Sequence, residues 1–497
     1  MGEKKRRLAA GRSPERAALE QAGRARALFA QAAFGPALEH LAVALERSPQ
    51  IDALWVHFAD LIRFYNLRDP LPPRLRELLE RALEHPAVDP GDLVRPISSA
   101  ALSRTGDPLH EPLLLKLMHD TVIRDPALED AIVAARGDPT TPLDTLVAVA
   151  HQCFNAEYVF EDHGFVPPAP GDDPRAWALY AAYKPLDSGS MRAPSSLVKR
   201  QIDEPAEEAR LRATIRSIGQ SPSEVSAKVR AQYEENPYPR WVRLPVQPIA
   251  AEGPRRILIA GCGTGQHAIA TARHFPDAQV LAIDLSLSSL AYAKRKSLEL
   301  AVTNIEYAQA DLLALHSLPE RFEQIEASGV LHHLEDPFEG WRVLAALLAP
   351  GGRMRIALYS ERGRRHVVRA RELIAQEGFP PTPAGIRACR AAIRARAQDE
   401  LFARFLKSED FYSMSGCRDL LFHVQEHRFT LPQIGRMIQG LGLEFAGFEF
   451  ADAGISAARY RERFPADASM RNLENWDRLE GEFPDTFARM YQFSVRR

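Results

Sequence analysis

The sequence has few cysteines and almost no net charge, and each shortage excludes a class of protein. Its 497 residues include four cysteines, Cys153, Cys262, Cys389 and Cys417, which lie far apart and form no Cys-x-x-Cys pair. We therefore expect a reducing compartment, with no disulfide framework and no zinc site. The formal net charge is −2, so we expect no general attraction to nucleic acid or to an anionic membrane.

Long apolar runs are also missing. No run is long enough to span a bilayer, and the first residues lack the apolar core of a signal peptide. We therefore expect a cytoplasmic protein with no membrane partner. Residues 1–14 are basic and polar, which predicts a disordered tail. Hydrophobic residues make up 45% of the chain, enough for the cores of two or three domains.

Helical periodicity dominates residues 15–165, where the first two predicted helices span 24–45 and 51–65. Ser48-Pro49 separates them, and the pair resembles a tetratricopeptide hairpin, although no clean repeat follows it. The resemblance implies a helical-repeat-like domain that presents a concave surface to a protein partner. Residues 166–220 are expected to be a linker with connecting helices.

The stretch from Arg256 to Gly265 reads Arg-Ile-Leu-Ile-Ala-Gly-Cys-Gly-Thr-Gly. A short apolar run ends in three glycines and a helical pattern follows, which predicts a buried strand that turns sharply into a helix. A Cβ atom in this turn would block the close approach of a ligand to the backbone. The pattern therefore indicates a nucleotide-like cofactor beside a parallel sheet.

The spacing of the glycines distinguishes between cofactors. A dinucleotide fingerprint is Gly-x-Gly-x-x-Gly, but here the third glycine comes one position early and Gln266 occupies the later slot. The next predicted strand, 279–285, ends in Asp284, where a carboxylate can accept both hydroxyl groups of a ribose, as in an NAD site. A third predicted strand, 305–310, is followed by Asp311.

Two later motifs complete the series: Gly-Val-Leu-His-His-Leu over 329–334 and Ala-Pro-Gly-Gly over 349–352. In their order and separation, the motifs over 253–360 resemble those of class I S-adenosylmethionine-dependent methyltransferases, and the last residues, 440–497, are similar too. The resemblance implies an α/β fold with a doubly wound, seven-stranded Rossmann-like sheet. The methyltransferase domain is then expected over 221–497, with a helical insertion at 361–430.

The resemblance also implies S-adenosylmethionine as cofactor and a set of residues that contact it: Gly261, Gly263, Gly265, Asp284, Asp311 and Val330. Asp311 takes the place of the family residue that meets the adenine amino group. The sequence departs from the family at Ala260, because many members carry an acid before the first glycine that holds the cofactor's amino group. Two alternatives follow: the contact is missing, or another part of the chain supplies it.

His332 and His333 are the candidate catalytic residues, since they follow the fourth predicted strand, 322–331, at the edge where open α/β sheets bind ligands. One of them can accept a proton from the acceptor near neutral pH. Adjacent residues point in different directions, and the alternative is that the pair forms part of the cofactor pocket wall. We expect no metal ion. The candidates for contacts with the methyl acceptor are Tyr233, Tyr238, Arg240, Trp241, Arg418 and His423.

The implied function is methyl transfer to a small molecule, or to a protein docked by the helical domain. Two alternatives remain: a cofactor-binding scaffold with weak or no activity, and a nicotinamide-dependent oxidoreductase. Gln266 and the two later motifs argue against the oxidoreductase, whereas Ala260 keeps the scaffold open. The insertion is rich in arginine, but interleaved acids favour a solvated helical surface over a nucleic-acid or acidic-substrate surface.

Overall fold

The computed structural model describes residues 14–31, 33–162, 164–165, 167, 170–219, 223–246, 249–250, 252–450, 454–487 and 490–497. The chain forms two compact units: Met1–Gln201 with Trp241–Gln247, and Ile202–Arg240 with Pro248–Arg497. Residues 1–13 of the predicted disordered tail lie outside the described residues. Among the described residues, no helix combines the length and apolar character needed to cross a membrane. Cytoplasmic localisation stays a prediction.

The first unit is built from helices. Its α-helices span Pro14–Ala30, Phe34–Arg47, Asp52–Ile62, Pro73–Glu84, Val94–Leu102, Pro112–Asp120, Pro126–Gly137, Leu143–Asn155, Pro174–Ala181 and Ser195–Val198. Two 3₁₀ segments, Pro90–Leu93 and Pro108–His110, lie between them. The unit continues to Gln201, so it takes in much of the segment that was expected to be a linker over 166–220.

The single helix predicted over 24–45 is two helices in the structure. Helix Pro14–Ala30 ends at a turn, and helix Phe34–Arg47 packs back against it. Both helices bury small side chains, among which Ala22 is 3% exposed and Ala37 is fully buried. Burying these alanine faces stabilises the helical pair more than one continuous helix with an exposed apolar face would.

The segment Trp241–Gln247 belongs to the helical unit, which corrects the prediction that Trp241 contacts the acceptor. Trp241 and Val242 are buried. Arg243 donates hydrogen bonds to the His85 carbonyl oxygen at 3.1 Å and to Asp120 Oδ2 at 3.0 Å. Trp241 is thus used for packing in the first unit.

Within the described residues, the second unit contains one sheet of eight strands: β1 (Arg216–Gly219), β2 (Arg256–Ala260), β3 (Gln279–Asp284), β4 (Ile305–Ala310), β5 (Phe322–Ser328), β6 (Leu348–Tyr359), β7 (Glu444–Phe448) and β8 (Met490–Arg496). The strand order is β1-β4-β3-β2-β5-β6-β8-β7. Strand β8 is antiparallel to both of its neighbours, and the other pairs are parallel. The antiparallel pair of β7 and β8 lies within the last residues, 440–497.

The prediction of seven strands is wrong by one, because β1 adds a strand at the β4 edge. Only connecting helices were expected over 166–220, but helix Glu204–Arg212 ends within that range and the chain then becomes extended. Arg216 pairs with Glu306 on β4 at 2.5 Å, and Ile218 packs against the core. The added strand satisfies backbone groups of β4 that an open edge would expose.

Helices pack on both faces of this sheet. The α-helices of the second unit span Glu204–Arg212, Glu224–Glu235, Gln266–His274, Leu287–Glu299, Pro337–Leu347, Arg365–Glu377, Pro383–Ala395, Glu400–Ala403, Met414–Phe422, Leu431–Gly440, Ile455–Arg463 and Leu473–Glu482. Side chains of β2 alternate between the faces: Leu258 joins the cluster around Trp341, and Ile259 joins the cluster with Ala268. Because strands β1 to β6 are parallel, their carboxyl ends lie at one shared edge of the sheet.

Candidate active site

The turn after β2 is built from glycines with positive φ. Gly261, Gly263 and Gly265 have φ of +70°, +52° and +82°, a region that residues with a Cβ rarely adopt. A Cβ atom at Gly261 would lie 2.7 Å from Cβ of Val330. One at Gly263 would collide with the carbonyl oxygen of Tyr238. The backbone of the turn is thus closely packed, as the sequence predicted.

Gly265 has a different place from the other two glycines. It precedes helix Gln266–His274, and a Cβ atom there would lie 2.5 Å from Cβ of Ala293. It is not among the residues that line the cavity described below. The structure therefore assigns Gly265 to the packing of the helix rather than to the predicted cofactor contact.

Asp284 ends β3 beside the glycine turn. Its Oδ2 accepts a hydrogen bond from the Gly263 N–H at 2.8 Å, and its Oδ1 accepts one from the Ser286 N–H at 2.9 Å. Burial raises the pKa of this carboxyl, and the two N–H groups act in the opposite direction. Each oxygen keeps a lone pair that can accept a hydroxyl donor.

Asp311 follows β4 and is 1% exposed. Its Oδ1 accepts a hydrogen bond from the Leu313 N–H at 2.9 Å. Its Oδ2 is buried and has no hydrogen-bond partner among the described residues. Because an unsatisfied buried acceptor costs free energy, this oxygen is suited to a ligand that brings an N–H donor.

These groups line one cavity of about 420 Å³ in the second unit. Five of the predicted cofactor residues line it: Gly261, Gly263, Asp284, Asp311 and Val330. The volume is within the range of small-molecule sites. Other lining residues come from helix Glu224–Glu235, from the loop that follows it and from helix Met414–Phe422 in the insertion.

A cluster of aromatic and polar side chains forms a second part of the cavity wall. The Tyr233 hydroxyl lies 2.6 Å from Asp419 Oδ1 and 3.1 Å from His423 Nε2. The imidazole of His423 stacks on that of His333, with ring centroids 3.6 Å apart. His333 Nδ1 in turn lies 2.7 Å from the Gln425 carbonyl oxygen. Of these residues, Tyr233, His333 and Asp419 line the cavity directly.

The hydrogen bonds assign the protons in this cluster. The Gln425 N–H donates to His423 Nδ1 at 3.1 Å, so His423 carries its proton on Nε2, which donates to the Tyr233 oxygen. His333 must donate from Nδ1 to a carbonyl oxygen, which leaves its Nε2 as the acceptor. Burial lowers the pKa of His333, and burial together with His333 lowers the pKa of His423 to about 2. Both rings are neutral near pH 7.

His333, Asp419 and His423 each offer an atom that can ligate a metal ion, and these atoms lie within 4.8 Å of one another. In the tautomer just assigned, however, His423 uses Nδ1 to accept from Gln425 and Nε2 to donate to Tyr233. No imidazole lone pair of His423 is left for a metal. The expectation of a site without metal therefore stays a prediction.

His332 does not line the cavity, which corrects its proposed catalytic role. Its ring is fully buried and packs on Tyr359, with centroids 4.0 Å apart. The short 3₁₀ turn Leu331–His333 directs consecutive side chains to different sides. Of the two candidate histidines, only His333 lines the cavity.

The remaining acceptor candidates divide into two groups. Tyr238 lines the cavity, and its hydroxyl donates to Asp410 Oδ1 at 2.8 Å. Arg240 and Arg418 lie outside the lining. Arg418 instead bonds Asn236 at 2.7 Å and pairs with Glu235 at 2.6 Å, joining two helices that border the cavity. Its role is to position the wall.

The insertion is not wholly a solvated surface, because some of its arginines are buried. Arg364 is 5% exposed; its guanidinium lies 3.8 Å from the centroid of the Tyr359 ring and pairs with Glu426 at 2.5 Å. Arg390 is 2% exposed and donates to the Phe411 carbonyl oxygen at 2.8 Å. These arginines hold the insertion together behind the cavity.

The lining and supporting residues that were not identified from the sequence include Glu326, Tyr359, Asp410 and Asp419. The two aspartates lie in the insertion, where no motif marks them. Glu326 had a usable signal, since it is a charged residue inside a predicted buried strand, between Ile325 and Ala327. Buried charges of this kind are often functional.

Comparisons with known proteins find similarity over part of this chain. Residues 257–352 match the family model of a methyltransferase domain. An uncharacterized protein of Synechococcus sp. is 33% identical over 250 residues, which cover 46% of this chain and 56% of that protein. A ubiquinone biosynthesis O-methyltransferase of Albidiferax ferrireducens is 34% identical over 106 residues, which cover 21% of this chain and 40% of the relative. The chain thus spans about half the length of the curated relatives it matches.

Among solved structures, PKMT2 from Rickettsia typhi in complex with AdoHcy aligns with a TM-score of 0.39 and 15% identity, covering 55% of this chain and 52% of that one. The family match bears out the predicted methyltransferase domain over residues 257–352 of the second unit. The tetratricopeptide-like character of the helical unit stays a prediction.

Proposed function

We propose that this protein is a methyltransferase that uses S-adenosylmethionine and methylates a hydroxyl group of an acceptor bound in the cavity. The observation that carries the proposal is the composition of one cavity, which combines groups suited to a nucleoside with a neutral histidine base. When bound, the cofactor supplies an electrophilic methyl group on a sulfonium sulfur. The protein's residues must then align the acceptor, exclude water and remove a proton.

The residues around the glycine turn fit the nucleoside part of the cofactor. Asp284 has lone pairs for two ribose hydroxyls, and the free Oδ2 of Asp311 suits the adenine amino group. Gly261 and Gly263 let a ligand approach the backbone of the turn. These features support the assignment of the cofactor independently of the sequence motifs.

The cluster around His333 fits the proton transfer. Its Nε2 is the free acceptor of a neutral ring, since Nδ1 donates to Gln425. Asp419 lies within the same cluster, and its negative charge favours a protonated His333. Tyr233 keeps its proton because burial raises its pKa well above the usual value, so it can hold Asp419 in place.

The acceptor is a small molecule, or one group of a protein that enters the cavity. The cavity that cofactor and acceptor would share has a volume of about 420 Å³, within the range of small-molecule sites. The similarity to an O-methyltransferase supports an oxygen acceptor. We further propose that the helical unit docks the acceptor or the protein that carries it, as hairpin stacks do for their partners.

The experiment that tests the function uses the full chain with methyl-labelled S-adenosylmethionine and a cell lysate. We expect label in small organic molecules or in protein. The labelled bond should be stable to hydrolysis at neutral pH, as an ether is. His333→Gln is the matched control, because it removes the proposed base and keeps the cofactor residues. Equal labelling by the wild type and this variant, or no labelling by either, would contradict the proposed function.

A further inference from the structure

The strand order places three parts of a ligand site side by side. Asp311 follows β4, Asp284 ends β3, and the glycine turn follows β2. Strand β5 is the next neighbour of β2, so the row from β4 to β5 covers about 14 Å at the usual strand spacing. A ligand with its adenine at Asp311 and its ribose at Asp284 therefore extends its remaining part towards the ends of β2 and β5.

The end of β2 has no charge to offer this part of the ligand. Ile259 and Ala260 are 2% and 1% exposed and belong to the hydrophobic clusters on the two sheet faces. On β5, however, Glu326 is in register with Ile259, so their side chains share one face of the sheet. Glu326 is 4% exposed and lines the same cavity as the glycine turn.

The surroundings of Glu326 keep it ionised. Burial alone would raise the pKa of its carboxyl, but His267, Arg355 and Gln324 together lower that pKa to about 2. Its Oε1 accepts a hydrogen bond from Gln324 at 2.6 Å, and its Oε2 contacts His267 and lies 3.5 Å from Arg355.

Glu326 has only a long contact with the nearest guanidinium. Arg355 pairs more closely with Glu449, at 2.8 Å, than with Glu326, at 3.5 Å. Arg353 also pairs with Glu449, at 2.9 Å, so the two acids are matched by two guanidiniums. Of the two acids, Glu326 lines the cavity and Glu449 does not. A cationic group of a ligand in the cavity can therefore pair with the Glu326 carboxylate.

We propose that Glu326 binds the α-ammonium group of the cofactor's methionine moiety, the contact that Ile259 and Ala260 cannot make. The inference rests on the proposed function and adds an anchor for the end of the cofactor opposite its adenine. It answers the question raised by Ala260, because the acid is present on the neighbouring strand.

The test measures binding, by calorimetry on the full chain, of two ligands. One is S-adenosylhomocysteine, and the other is its analogue in which hydrogen replaces the α-amino group. We expect the wild type to bind the parent compound about tenfold or more tightly than the analogue, as a charged hydrogen bond implies. In Glu326→Gln this ratio should fall to about two, with the affinity for the analogue unchanged.

Glu323→Gln is the control, since it makes the same chemical change on the same strand outside the cavity lining. It should keep the wild-type ratio. The inference is overturned if Glu326→Gln weakens both ligands equally or keeps the ratio, or if the wild type does not distinguish them. If the wild type binds neither compound, the proposed function itself fails. Matching unfolding curves for the variants show that a lost ratio does not reflect misfolding.

Discussion

The hydroxyl of Tyr233 donates a 2.6 Å hydrogen bond to Asp419 across 186 residues of sequence. Tyr233 lies on the helix before the glycine strand, and Asp419 lies on helix Met414–Phe422 of the insertion. Both side chains line the cavity. The insertion therefore supplies part of the cavity wall, rather than only a separate surface.

Tyr233→Phe should lower kcat about tenfold and should change the affinity for S-adenosylhomocysteine by less than about twofold. The reason is that the variant releases Asp419 and His423 without touching the residues that fit the nucleoside. Steady-state kinetics and calorimetry measure the two effects. Tyr460→Phe is the matched control, because its hydroxyl bonds Asp467 outside the cavity. Equal kcat in wild type and Tyr233→Phe would show that the Tyr233 hydroxyl has no part in the mechanism.

His333→Gln should lower kcat by about 10² to 10⁴, the usual contribution of a general base. The wild type should also show an acid limb in its kcat–pH profile below the ordinary histidine value of 6.5, because burial lowers the pKa of His333. Neutral His333, which can accept a proton, therefore remains the main form until the pH falls to that limb. A limb at or above pH 7, or one that persists in His333→Gln, would assign the titration to another group.

Histidines with a lowered pKa should make the second unit less stable in acid. Burial lowers the pKa of His366 to about 4, with Arg364 acting in the same direction. The unfolded chain then binds more protons than the folded chain below pH 6.5. Stability is therefore complete above that pH and falls by about 1.4 kcal/mol per pH unit for each such group, down to its folded pKa.

The comparison of wild type with His366→Phe isolates this effect. The His366 ring packs on Phe405 with centroids 5.2 Å apart, so an aromatic replacement keeps the contact. Urea unfolding should be measured at about pH 7.5 and about pH 5.5. The free energy of unfolding should fall less between these two pH values in the variant than in the wild type. An unchanged difference between the two pH values would mean that His366 does not titrate as the structure implies.

The motif-bearing strands were predictable because each carries a continuous local signal. β2 to β5 are short apolar runs, each followed by or ending in glycine or an acid. Their first and last residues in the structure lie close to the predicted limits. The strand β1 was missed because it is only four residues long and follows a genuine helix. Its extended form depends on pairing with β4, which is 90 residues away at Arg216 and Glu306.

The cavity residues around the glycine turn were predictable for the same reason, whereas those of the opposite wall were predictable only in fragments. Tyr233, Tyr238 and His333 line the cavity as expected, whereas Trp241 packs in the other unit. Asp419 was missed because its role arises from a contact with Tyr233 that no local pattern encodes. Side chains brought together by tertiary packing leave little trace in a single sequence.

Calorimetric titration of the full chain with S-adenosylhomocysteine tests the central claim most directly, with Asp284→Ala measured beside the wild type. We predict binding in the micromolar range for the wild type. The variant should bind about tenfold more weakly or worse, because each lost hydrogen bond from ribose to the carboxylate contributes about 1.5–3 kcal/mol. No binding to the wild type, or wild-type affinity in Asp284→Ala, would contradict the account.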